Sequence, residues 1–208
     1  MKTSNLLMAL MAAAGLTLAG AAQAANAPSR DAMATKPAST MTKDVRDQAY
    51  KDASAKYKAD KDACKAMTGN AKDVCMEEAK GREKMAKADA DAAYKGTPRA
   101  REHARIVHAD AAYNVAKEKC DDLSGNQKDV CVKEAKAAHV KAKADAKVDR
   151  VAADTGTRSG EKTAAARKDA AEDKRDADYK VAVEKCDALA GNAKDACVRD
   201  AKAKYGKS

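Results

Sequence analysis

Residues 57–80 read YKADKDACKAMTGNAKDVCMEEAK, and the same unit returns at residues 113–136 (YNVAKEKCDDLSGNQKDVCVKEAK) and residues 179–202 (YKVAVEKCDALAGNAKDACVRDAK). Aligned without a gap, nine of the 24 positions are identical in all three copies, and they give the pattern Y-x6-C-x4-G-N-x-K-D-x-C-x3-A-K. A sequence repeat of this kind indicates one supersecondary unit that occurs three times in the chain.

Each unit contains a turn signal between two helical stretches. Glycine adopts a left-handed conformation without steric cost and often ends a helix. Asparagine is a preferred N-cap, and an acidic residue three positions later favours the start of a helix. We therefore predict that the glycine ends one helix and that the asparagine opens the next, so that each unit is a helical hairpin. These turn and capping residues are Gly69, Asn70, Asp73, Gly125, Asn126, Asp129, Gly191, Asn192 and Asp195.

The cysteines are placed symmetrically about each turn, five residues before the glycine and five after the asparagine. Two antiparallel helices leaving a tight turn bring such positions opposite each other, at a distance that suits a disulfide. Six cysteines can pair in many ways, but two in each repeat favour pairing within the repeat in an oxidising compartment. The predicted pairs are Cys64 with Cys75, Cys120 with Cys131, and Cys186 with Cys197.

Other uses of the cysteines have weaker support. A zinc site needs four ligands at close spacing, and the histidines fall outside the repeated units. The C-x-x-C pattern of redox enzymes and the C-x-x-C-H pattern of haem attachment are both missing from the sequence. We predict structural disulfides, with no metal and no cofactor.

A tyrosine stands seven residues before the first cysteine of each unit, and a large aliphatic residue (Met67, Leu123 or Leu189) stands three residues after it. These spacings keep the residues on one helix face. Such a tyrosine could serve as a platform for a ligand, but we predict that it fills a seam between helices. The three tyrosines are Tyr57, Tyr113 and Tyr179.

The first residues have the pattern of a secretory signal peptide. A positive start at Lys2 is followed by an apolar stretch from Leu6 to Leu18, and Ala22-Gln23-Ala24 forms a small-x-small cleavage site. We predict a signal peptide over residues 1–24, cleavage after Ala24 and export to the periplasm. The alternative is an uncleaved helix that tethers the protein to the inner membrane, which the short apolar stretch disfavours.

Breaks in the helical pattern divide the rest of the chain. Residues 25–41 contain proline, serine and threonine and are predicted to be a flexible leader. Gly96-Thr97-Pro98 has the form of a helix stop followed by a cap and a helix start, and residues 155–160 form a second break. The predicted hairpin repeats are residues 42–95, 98–154 and 161–205.

The composition favours helices with thin contacts. The chain has no Phe and no Trp, and its only leucines beyond the predicted signal peptide are Leu123 and Leu189. Alanine, the strongest helix former, is abundant. We predict an all-α protein of about six helices in three disulfide-stapled hairpins, forming an extended or loosely packed bundle.

The charges do not indicate a nucleic-acid partner. The formal net charge is +9, but acidic and basic residues are interspersed as on solvated helices, and aromatic residues do not alternate with basic ones. Carboxylates occur at surface spacing throughout, and His103 and His108, five residues apart, diverge on a helix. The sequence predicts no catalytic constellation, and we interpret the chain as a protein that is not an enzyme.

The Cys-Gly-Asn-Cys unit resembles one in exported Ala/Lys-rich envelope proteins of Gram-negative bacteria, which are described as cell envelope biogenesis proteins similar to TolA. This resemblance implies a protein of the periplasm. We expect a non-enzymatic structural or interaction protein that contacts another envelope protein. Two alternatives are a hydrophilic helical stress protectant and an electrostatic binder of anionic envelope polymers such as lipopolysaccharide.

Overall fold

The computed structural model describes residues 41–208, and most of these residues belong to six α-helices. The predicted signal peptide (1–24) lies outside the described residues, as does the predicted leader (25–41) apart from its last residue. Within the described part of the chain, no helix is both long and apolar enough to span a bilayer. The helices, which confirm the all-α prediction, are α1 (Lys43–Cys64), α2 (Gly69–Lys95), α3 (Pro98–Cys120), α4 (Gly125–Thr155), α5 (Glu161–Cys186) and α6 (Gly191–Tyr205).

Consecutive helices form antiparallel hairpins. In the first hairpin, a disulfide joins Cys64 at the end of α1 to Cys75 near the start of α2. At the opposite end of the same two helices, the Arg46 guanidinium lies 4.6 Å from the centre of the Tyr94 ring. The second hairpin (α3–α4) and the third (α5–α6) repeat the cross-link near their own turns.

The hairpins pack against one another in chain order. Across residues 41–208, each helix contacts only the helix before it and the helix after it. The contacts of α2 with α3 and of α4 with α5 join successive hairpins, and we call them the inter-hairpin seams. Because the helices alternate in direction, the turns at 65–68, 121–124 and 187–190 lie at one end of the array. We call these turns and their disulfides the stapled end.

Alanine provides almost the whole interior. A methyl group lets two helix backbones approach closely, although it buries much less apolar surface than a leucine side chain. The buried apolar residues are three cysteines (Cys64, Cys120 and Cys186) and the alanines at positions 53, 79, 88, 90, 104, 109, 111, 137, 144, 146, 166, 170, 177 and 201.

The connections between hairpins follow local backbone rules. Gly96 ends α2 in a left-handed conformation with φ of 60°, the Thr97 hydroxyl accepts a hydrogen bond from the Ala100 amide at 3.1 Å, and Pro98 opens α3. The predicted stop and start at this position are therefore confirmed. In the loop between α4 and α5, the hydroxyl of the fully buried Thr163 donates to the Thr157 carbonyl at 2.9 Å, and this bond ties the loop to α5.

The disulfide-bearing turns correct the predicted role of the glycines. The first helix of each hairpin ends at its cysteine, and the next residue is still right-handed. The chain then leaves the helix through a tighter turn, in which the Leu123 amide donates to the Cys120 carbonyl at 3.0 Å. Gly69, Gly125 and Gly191 are left-handed as expected, but each is the first residue of the second helix and does not end the first.

The predicted capping residues are displaced for the same reason. In the second hairpin, the Ser124 carbonyl already accepts the first helical hydrogen bond, from the Lys128 amide at 3.5 Å. The N-cap positions are therefore Thr68, Ser124 and Ala190. The repeated asparagines are the second residues of these helices and not their N-caps; they are Asn70, Asn126 and Asn192. The repeated aspartates lie beyond the first helical turn, and the first turn itself contains no acidic residue in α2, α4 or α6; they are Asp73, Asp129 and Asp195.

Substitution of Gly81 tests how closely the first inter-hairpin seam is packed. A Cβ atom at this position would lie 3.1 Å from the Cβ of Ala111 on α3. We expect Gly81→Leu to lower the free energy of unfolding by about 2 kcal/mol, because overpacking outweighs the gain in helix propensity. Urea denaturation measures this change.

The repeat offers a matched control at Ala203, which occupies the same position of the third unit and is exposed on α6. Ala203→Leu should change stability by less than about 0.5 kcal/mol. Equal effects of the two substitutions would contradict a close seam between α2 and α3.

Candidate functional site: the stapled end and the inter-hairpin seams

The three disulfides repeat one geometry. In each pair the Cα atoms are 5.7 Å apart and the cysteines are separated by 11 positions in sequence. The first cysteine of each pair is fully buried, and its partner is half-buried. The predicted pairing within each repeat is confirmed. Disulfides of this kind are typical of proteins in an oxidising, extracytoplasmic compartment.

Large aliphatic side chains are displayed at the stapled end. Met67, Leu123 and Leu189 occupy equivalent positions in the three turns and are 44%, 40% and 45% exposed. The sequence placed them on the same helix face as the repeated tyrosines. Because each first helix ends at its cysteine, these residues lie beyond the helix, and their side chains are not buried in the hairpin.

The repeated tyrosines lie between the two helices of their own hairpins. Tyr57, Tyr113 and Tyr179 are all half-buried. The Tyr113 ring stacks on His139 of α4 with a centroid distance of 5.1 Å, and the Tyr179 ring meets Tyr205 of α6 edge-on at 6.2 Å. His139 and Tyr205 occupy equivalent positions, so these two hairpins use the same ring contact. The first hairpin has Glu83 at that position.

A polar contact crosses each hairpin one turn before the tyrosine. The Ser54 hydroxyl donates to Glu83 at 2.9 Å, and at equivalent positions Asp110 pairs with His139. In the third hairpin Asp176, equivalent to Ser54, pairs instead with Lys207, two residues beyond the equivalent of Glu83. Hydrogen bonds from Lys87 and from Ser54 keep the pKa of Glu83 below its ordinary value, although partial burial opposes this shift.

At the other end of the first hairpin, a tyrosine and a carboxylate are coupled. Partial burial and a hydrogen bond with Asp91 raise the pKa of Tyr50. Burial acts to raise the pKa of Asp91 as well, but hydrogen bonds from Lys95 and Tyr50 outweigh it and the pKa is lowered. These groups hold α1 to α2.

The inter-hairpin seams combine small residues with ion pairs at equivalent positions. Gly81 lies against Ala111 in the first seam. The equivalent positions in the second seam are Ala137 and Ala177, both buried. Lys119 pairs with Glu78 at 3.3 Å across the first seam, and the equivalent residues Lys185 and Glu134 pair at 2.6 Å across the second.

An asparagine from the repeated unit also joins successive hairpins. The side-chain amide of Asn126 at the start of α4 donates to the main-chain carbonyl of Glu184 near the end of α5, at 2.9 Å. This carbonyl belongs to the last turn of α5 and also accepts from the Asp187 amide at 3.1 Å, so Asn126 is its second donor. Asn126 therefore links two hairpins, a role that the capping prediction did not include.

The described residues do not converge on a metal-binding arrangement. No group of three or more His, Cys, Asp or Glu side chains in residues 41–208 is placed to hold a metal ion. His108 pairs with Asp89 across the α2–α3 seam, whereas His139 pairs with Asp110 inside the second hairpin. One surface groove lies between α4 and α5 and is lined by Lys133, Ala137 and Asp173, among others.

Comparison of the chain with protein families, with curated proteins and with solved structures found no match. The inference of function therefore depends on the chain's own residues and their geometry.

His139 provides a test of the contact inside the hairpin. Its side chain is 10% exposed, stacks on Tyr113 and bonds to Asp110. We expect His139→Ala to lower the free energy of unfolding by about 2 kcal/mol, because both contacts are lost. His139→Tyr should retain more than half of that stability, because Tyr205 makes the equivalent ring contact in the third hairpin.

Chemical denaturation at pH 7 measures both variants, and His103→Ala, an exposed position on α3, serves as the control. Equal destabilisation by the alanine and tyrosine variants would show that ring packing at this position is unimportant.

Proposed function

We propose that this protein is a non-catalytic interaction protein of the Gram-negative cell envelope, located in the periplasm, where its stapled end contacts another envelope protein. The proposal extends the expectation drawn from the repeated unit and from the signal-peptide pattern of residues 1–24. The three disulfides support export, because such bonds persist in oxidising compartments and are rare in the cytosol.

The observation that carries the proposal is the placement of Met67, Leu123 and Leu189. Beyond residue 24 the chain contains only two leucines, and both are 40% exposed or more at equivalent turns. The interior is built of alanine instead. Single exposed apolar residues are normal on protein surfaces. A large aliphatic residue displayed at the same position in three disulfide-linked turns is better explained by contact with a partner.

The two alternative functions have less support from the geometry. A stress protectant that acts by solvation does not require three cross-linked turns with fixed side chains. Electrostatic binding of an anionic polymer requires basic groups that are free to contact it. At the two seams between hairpins the lysines are paired with carboxylates, as in Lys119 with Glu78 and Lys133 with Glu184, so these two faces offer few free basic groups.

Photo-cross-linking in a Gram-negative periplasm tests the proposal. A photoreactive amino acid at Leu123 should give one discrete adduct that saturates with expression level, because the turn lies against a single partner. The same group at Ala142, an exposed position on α4 away from the turns, should give little or no adduct. The adducts are detected by immunoblot and the partner is identified by mass spectrometry.

Two results would contradict the proposal. Equal, non-saturating adducts at both positions would show that the stapled end has no preferred partner. Salt-sensitive retention on lipopolysaccharide, without a discrete protein adduct, would favour the polymer-binding alternative.

A further inference from the structure

The second helix of each hairpin carries one half of an inter-hairpin seam. The α2 half packs against α3, and the α4 half packs against α5. In the described chain, α6 contacts only α5, so its equivalent half has no partner. The small residue at the centre of the seam reflects this difference, because Gly81 and Ala137 are buried whereas Ala203 is exposed.

The asparagine of the repeated unit shows the same difference. Asn126 is partly buried and donates to a helix carbonyl across the second seam. Asn70 is partly buried at the first seam, where its amide nitrogen has no hydrogen-bond partner among the described residues. Asn192 is exposed at the start of α6. Its amide is thus available to a carbonyl of a helix that docks as α5 docks on α4.

Charge at the second seam indicates the kind of helix that fits. Three lysines of α4 pair with carboxylates of α5: Lys133 with Glu184, Lys141 with Asp178 and Lys147 with Asp169. Two lysines of α5, Lys174 and Lys185, pair with carboxylates of α4. On α6, Arg199 stands at the position of Lys133 and Lys202 at that of Lys136. Lys207, at the position of Lys141, lies beyond the end of α6 and pairs with Asp176 of α5 inside the third hairpin. The outer face of α6 is therefore predominantly basic around Ala203, although Asp200 also lies on it.

We infer that the outer face of α6, defined by Asn192, Arg199, Lys202 and Ala203, binds an α-helix of a partner protein that presents carboxylates to this face, in the way that α4 binds α5. This inference rests on the proposed function and names a second contact surface. The partner helix carries a small residue at its centre and carboxylates on either side, as α5 does with Ala177 between Asp176 and Asp178. It runs antiparallel to α6, because α5 and α4 are antiparallel.

A second copy of the chain fits this face less well. The helix that a second copy would offer is α1, whose central alanine, Ala55, is exposed. In place of Asp173, Asp176 and Asp178, α1 carries Lys51, Ser54 and Lys56, and it keeps carboxylates only at the positions of Asp169 and Glu184, as Asp47 and Asp62. A second copy would therefore bring Lys51 toward Lys202, because the equivalent Asp173 and Lys136 line one groove between α4 and α5, and like charges at an interface oppose association.

Two peptides from the chain itself test the inference. The first has the sequence of residues 168–185 of α5 (KDAAEDKRDADYKVAVEK), and the second has the equivalent residues 46–63 of α1 (RDQAYKDASAKYKADKDA). Each is titrated into full-length, disulfide-intact, isotope-labelled protein, and the backbone amide shifts are followed by NMR. The α5 peptide should shift Asn192, Arg199 and Ala203 in a saturable and salt-sensitive manner. The α1 peptide should bind about tenfold more weakly or not at all.

Matched variants test whether the α5 peptide binds specifically to the outer face of α6. Ala203→Glu places bulk and negative charge at the centre of the face and should weaken binding of the α5 peptide by about tenfold or more. Ala142→Glu makes the same change at an exposed position on α4 and should leave binding unchanged. Circular dichroism checks that both variants keep their helices.

Three results would overturn the inference: no shifts on α6 with the α5 peptide, equal loss of binding in both variants, or tighter binding of the α1 peptide. The last result, with concentration-dependent dimers in sedimentation experiments, would identify a second copy as the occupant. The outcome is independent of the cross-linking at Leu123. An adduct at Leu123 without binding at α6 would reject this surface and retain the proposed function.

Discussion

The disulfide between the two helices of each hairpin is the constraint on which the rest of the structure depends. It fixes two Cα atoms 5.7 Å apart close to the turn, and only small side chains fit between helices that leave the turn so near to each other. The interior accordingly consists almost entirely of alanine. Alanine methyl groups contribute little apolar burial, whereas closing a loop of about a dozen residues stabilises a hairpin by about 3 kcal/mol.

An interior of alanine leaves the larger side chains available for other contacts. The tyrosines and histidines contact each other and charged residues at the edges of the hairpins, and the aliphatic residues of the turns face solvent. The seams between hairpins depend on small residues, ion pairs and one asparagine bond. Since neighbouring hairpins meet through the same positions each time, α6 presents a copy of a seam surface that no other described residue fills.

Local backbone rules made part of this fold predictable. The repeat, the symmetrical cysteines and the Gly96-Thr97-Pro98 break gave the six helices, their pairing and the first connection. The turn details were not predictable in the same way. A left-handed glycine serves equally well after a helix or before one, and the sequence does not show that the first helix has already ended at Cys64. The exposure of Met67 and the displaced N-caps both follow from that early end.

The candidate surfaces depend on contacts between hairpins, which leave a weaker trace in the sequence. Alanine occurs at many buried and many exposed positions, so Ala177 and Ala203 cannot be told apart from composition or periodicity. The function of Asn126 was missed because its bond reaches Glu184, 58 residues away in the chain. One sequence signal could have located the seams: an acidic residue in the second helix of one hairpin is matched by a lysine in the first helix of the next, and the match recurs at equivalent positions. The pairs are Glu78 with Lys119 and Glu134 with Lys185.

The central claim is that the three cross-links provide stability that the alanine interior lacks. The most direct measurement is urea unfolding of the periplasm-purified protein, oxidised and fully reduced, followed by helix circular dichroism. Three staples of about 3 kcal/mol each are comparable with the whole stability of a small domain, so the reduced protein should be largely unfolded at 25 °C. A reduced protein that keeps its helicity and unfolds cooperatively at nearly the same urea concentration would contradict the account.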